Sequence, residues 1–100
     1  MNSMDSIKSS QQYLADAESG DIKAQLELAI MYSNGYAGLE KDYVLSHKWA
    51  VLAAINGNAE AGMLAELITH YMSRQELDKS RQLIKNGSAE KIPNLCSKVR

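Results

Sequence analysis

Residues able to do chemistry are few in this chain, and they lie apart. His47 stands in "SHKW" and His70 in "ITHYM". Neither has a cysteine, a second histidine or a carboxylate cluster at metal-ligand spacing, so both read as surface histidines and no metal site is expected. Ser88 and Lys91 form a Ser-x-x-Lys pair, the spacing of some serine nucleophiles with their activating lysine. With eleven serines and eight lysines in the chain, about one such pair arises by chance. Gly35 and Gly38 bracket a loop, but that loop follows a helical pattern rather than a strand and lacks the context of a phosphate cradle. Cys96 is the only cysteine, which excludes an internal disulfide and a thiol metal pair and fits a reducing compartment. The residues therefore give no active site, no metal and no cofactor, and a non-enzyme is expected.

The elements that would hold these groups follow from composition. One hundred residues, 45% hydrophobic, with one proline and no phenylalanine, suit a single all-helical domain rather than a sheet. The formal net charge is −1, so no strong field points toward nucleic acid or an acidic membrane. Residues 1–72 carry nine acidic and four basic side chains, and residues 73–100 carry three acidic and seven basic ones. Basic residues near helix C-termini complement the helix dipole, which accounts for that skew without a partner. No segment has the length and apolarity of a membrane span, and the N-terminus lacks the apolar stretch of a secretory signal. A cytoplasmic protein is expected, unless a leader preceded Met1.

Punctuation then divides the chain. Ile7, Ser10, Leu14 and Ala17 make one helical stripe starting near Ser3 or Asp5 and ending at Gly20. Asp21 is placed to cap a second helix, about Ile22 to Asn34, and Asp42 a third, about Tyr43 to Asn56. Gly57 and Asn58 repeat the Gly-Asp corner before a fourth helix, about Ala59 to Met72. "SRQE" at 73–76 is a capping box for a fifth helix to about Asn86. Ile92, Leu95 and Val99, at i, i+3, i+7, allow a short final turn. Connections this short predict antiparallel hairpins.

Displacing the chain by 37 residues places Ala17 on Ala54, Gly20 on Gly57, Asp21 on Asn58 and Ala24 on Ala61. A period in that range is the mark of stacked helical hairpins. The residues Gly20-Asp21, Ala24-Gln25, Leu28-Ala29, Met31-Tyr32, Gly35, Gly38, Asp42, Trp49, Ala53-Ala54 and Gly57 resemble the Sel-one-like repeat, a relative of the tetratricopeptide repeat. The resemblance covers residues 13–62 and extends more loosely to about 86. Ala37 adds a residue between the loop glycines, and Ser46 stands where the family usually has alanine. The resemblance implies a short right-handed α-α superhelix of about five helices, a bacterial type of solenoid. It would comprise an N-terminal helix at about 3–19, a full repeat at about 21–56, a degenerate second repeat with closing helix at about 58–87, and a tail at 88–100.

On a helical wheel Ala24, Leu28 and Tyr32 face the hairpin partner, while Lys23, Leu26, Ile30 and Ser33 face away. Their counterparts 37 positions on are Glu60, Met63, Leu67 and His70. In tetratricopeptide-like folds this face lines the concave groove, so these eight residues are the expected partner-binding set. Their mixed apolar and charged character suits an amphipathic peptide or helix of another protein, and Met adapts to varied partners. An adaptor, or an inhibitor or immunity-type protein, would fit. A self-assembling unit or homodimer through incomplete repeat ends is the alternative, as is packing of these residues within the domain. A hydrolase reading, from β-lactamase activity described for secreted relatives with paired cysteines, is weakened by the lone Cys96.

Overall fold

The computed structural model describes residues 9–35 and 38–91. Five helices follow in order, α1 (Ser10–Glu18), α2 (Ile22–Asn34), α3 (Tyr43–Ile55), α4 (Ala59–Thr69) and α5 (Arg74–Lys91), with no strand among the described residues.

Each helix starts where a short polar side chain satisfies one of the backbone N–H groups that the helix itself leaves unpaired. Ser9 accepts from Gln12, Asp21 from Ala24, Asp42 from Leu45 and Asn58 from Ala61. Before α5 the bonds are reciprocal, Glu76 N–H donating to Ser73 Oγ and Ser73 N–H to Glu76 Oε1. Caps of this kind contribute about 1 kcal/mol each.

The two Gly-containing corners close alike. At the first, Gly20 N–H donates to the Ala17 carbonyl and Asp21 N–H to that of Asp16; at the second, Gly57 N–H donates to Ala54 and Asn58 N–H to Ala53. Both glycines take positive φ, 106° and 111°, as a Schellman closure requires. Position for position, 37 residues apart, the corners share one hydrogen-bond pattern.

The apolar centre lies among α1 to α4. Ala17, Ala24, Leu28, Ala29, Met31, Trp49, Ala50, Ala65 and Ile68 form the main cluster, and Leu26, Ala53 and Ala61 a second. Small residues let the helices approach while Leu28, Met31, Trp49 and Ile68 supply large buried side chains. Ser46, fully buried, occupies an alanine-sized space and donates from Oγ to the Ala29 carbonyl at 2.6 Å, so its hydroxyl carries little desolvation penalty. Gln25, also buried, donates from Nε2 to the Ala17 carbonyl and accepts at Oε1 from Asn56 Nδ2. One side chain thus ties the end of α1 to the end of α3.

Helix α3 packs against α2, α4 and α5, and α5 makes its main helix contact with α3 rather than with α4. That contact explains why "YVLSHKWAVLAAI" is apolar nearly all round. The expected helix boundaries need three adjustments. Helix α1 begins at Ser10 with Ser9 as its cap, and the expected start near Ser3 or Asp5 lies outside the described residues, as do Ile7, Ala37 and the final turn at Ile92, Leu95 and Val99. Helix α4 stops at Thr69 rather than Met72. Gly87 does not end α5, which continues to Lys91, so residues 88–91 belong to the helix and not to a tail. Glycine lowers helix stability by about 1 kcal/mol without forbidding a helix.

Candidate interaction surface

The eight residues expected to face a partner divide between two helices. On α2, Lys23 is exposed and Ile30 and Ser33 are half-buried. Leu26 is only 8% exposed and packs with Ala53 of α3 and Ala61 and Leu64 of α4. Leu26 is therefore a core residue and not part of an open groove: it is enclosed in one cluster with Ala53 of α3 and Ala61 of α4. Ile30 packs against the same cluster.

On α4 the corresponding face is open. Glu60 and His70 are exposed, Met63 is 69% exposed and Leu67 53%. The opposite side of the helix carries the buried Ala61, Ala65 and Ile68, and this division into two faces fixes the orientation of Met63 and Leu67. The contrast between Leu26 and Met63, equivalent at a 37-residue offset, has a simple cause. Leu26 is enclosed with Ala53 and Ala61, whereas α5 packs on α3 and leaves Met63 uncovered.

Two further large hydrophobic residues, outside the expected set, are also exposed. Tyr71, 62% exposed, stacks on Tyr43 with ring centroids 5.7 Å apart and an interplanar angle of 17°. Ile55 is exposed at the end of α3. The i, i+4, i+8 spacing of Met63, Leu67 and Tyr71 contained the signal for the tyrosine; the helix boundary placed near Met72 obscured where the turn begins.

His47 corrects the expectation of a surface histidine. It is 6% exposed, and its Nδ1 lies 2.7 Å from Oγ of fully buried Ser80 on α5. Burial, and secondarily the nearby Arg81 charge, lower its pKa from the ordinary 6.5. A neutral ring can accept a hydrogen bond from the Ser80 hydroxyl at Nδ1, or donate one to it in the other tautomer, so the pair is satisfied without charge. This is a packing contact between α3 and α5, and no nucleophile is activated there: Ser80 is closed off from solvent. Tyr32 has a raised pKa from burial and then from Asp42, as expected for a phenol packed at the cluster edge.

A depression of about 580 Å³ lies between the starts of α3 and α5, lined by residues 41–44 and by Gln75, Glu76 and Lys79. Its helix ends are already capped by Asp42 and Ser73, so they offer a ligand few unpaired donors. Among the described residues no three His, Cys, Asp or Glu side chains gather as a metal site would need, and no buried side-chain nitrogen or oxygen lacks a hydrogen-bond partner. No helix of the described residues is long and apolar enough to cross a membrane. Comparison with protein-family models, with curated proteins and with solved structures finds no match for this chain.

Proposed function

We propose that the protein is a non-enzymatic interaction module, a short α-α superhelix of the Sel-one-like type, that receives an amphipathic helix of another protein on the outer face of α4. The observation that carries this reading is the unequal fate of equivalent residues. Leu26 is enclosed with Ala53 and Ala61, and Met63 is not. The exposed Met63 and Leu67, bordered by Glu60 and His70, form an apolar strip that suits an amphipathic helix. The matching corners at Gly20 and Gly57 support the repeat reading, because each unit closes by the same backbone bonds. An adaptor and an inhibitor or immunity-type protein use such a face in the same physical way.

The test compares the wild-type protein with a Met63→Glu, Leu67→Glu double variant as immobilised bait in native lysate. Both residues are exposed, so the helical signal and melting should be retained. At least one abundant wild-type partner should disappear with the variant. Identical bound proteins with both baits would refute the reading.

A further inference from the structure

We propose that the helix seated on this face is α4 of a second copy, packed antiparallel about a two-fold axis that crosses between Met63 and Leu67. This rests on the reading of the α4 face as the binding surface and names its occupant. Glu60, Met63, Leu67 and His70 are spaced 3, 4 and 3 apart, the a and d positions of a coiled-coil seam. That spacing is the same read from either end. Antiparallel pairing therefore brings Met63 against Leu67 of the second copy, and Glu60 against His70 of the second copy, each contact occurring twice as two-fold symmetry demands.

The apolar pair falls at the centre and the Glu60 carboxylate meets the His70 imidazole, a hydrogen-bond donor, at both ends, so the face is complementary to itself. Its approach is open, because α5 packs on α3 and not across α4. Among the described residues, the exposed positions of α1 are Gln11, Gln12, Ala15 and Glu18, with no large apolar side chain. A head-to-tail contact would set Met63 and Leu67 on that polar helix, which favours the symmetric arrangement over a filament. Glu66, exposed on the flank of the seam, comes beside Glu66 of the second copy and weakens the pair. The face is narrow, and a weak, concentration-dependent dimer follows. Another protein's helix would have to displace it.

Sedimentation equilibrium of the full chain from about 10 µM to about 1 mM should show the mass rising from one chain toward two. Met63→Glu with Leu67→Glu should hold the protein monomeric. His70→Glu should weaken the dimer at least about tenfold by setting carboxylates against Glu60, and adding Glu60→Lys should restore it to within about threefold of wild type. Glu66→Gln should tighten it. A monomer at every concentration, a dimer indifferent to Met63→Glu with Leu67→Glu, or failure of the charge exchange to restore association would overturn the proposal. If the wild type stays monomeric while the Met63→Glu, Leu67→Glu bait still loses a lysate protein, the second copy is excluded and the α4 face remains a site for another chain. If neither property responds, both readings fail.

Discussion

A histidine closed in by protein is held neutral, because water no longer solvates its cation. For His47 the consequence is a stability that depends on pH. Its folded pKa is depressed, so the unfolded chain binds the proton more readily. The associated stability is fully present above the ordinary value of 6.5 and is lost as pH falls through the folded pKa. Urea unfolding at pH 7.5 and pH 5.0 should show the wild type losing stability at the lower pH. His47→Gln, which keeps a polar group near Ser80 but cannot be protonated, should lose distinctly less. Equal losses in the two proteins would remove His47 as the cause. The burial of this residue was hard to read because the helix that covers it, α5, comes from a later stretch whose inward residue is a serine rather than a large apolar side chain.

The corners between helices make the clearest demands on residue type. Gly57 has φ of 111° and open space where a side chain would begin, so backbone strain alone excludes other residues. Gly57→Ala should destabilise the fold by at least about 1 kcal/mol. Gly62 lies within α4, where an added Cβ would meet only the Ala54 Cβ at 3.7 Å, an ordinary contact. Gly62→Ala should stabilise by about 0.5–1 kcal/mol, since alanine restricts the unfolded chain and fits the helix. Opposite signs in chemical unfolding would check both assignments; a neutral Gly57→Ala would refute the corner argument. Such corners were legible because Gly followed by Asp or Asn is a local signal. Leu26 and Met63 share a helix position, yet their burial differs because it depends on which neighbour the next helix packs against, which no local pattern records.

At the scale of the whole molecule the helices are unequally anchored. Both apolar clusters draw on α1 to α4, and none of the described residues of α5 belongs to either; Leu77, Leu83 and Ile84 are only half-buried. Amide hydrogen exchange should therefore find residues 74–91 opening before α2 and α3, with a lower free energy than global unfolding. Equal protection in α5 and α3 would show that the His47–Ser80 contact belongs to a larger docking surface. The all-helical class and the limits of α2 and α3 could be read from capping residues and periodicity. The path of α5 could not, because the polar connection at 70–73 says where one helix ends and another begins but not which neighbour the second one chooses.

The corner after α3 also bears on chemical ageing. Asn56-Gly57 is a dipeptide prone to deamidation, in which the glycine nitrogen attacks the asparagine side chain to close a succinimide ring. Here that nitrogen's hydrogen is engaged by the Ala54 carbonyl, while the Asn56 amide is held by Gln25. The folded chain thereby restrains both reacting groups, and isoaspartate at this position would report molecules that had unfolded.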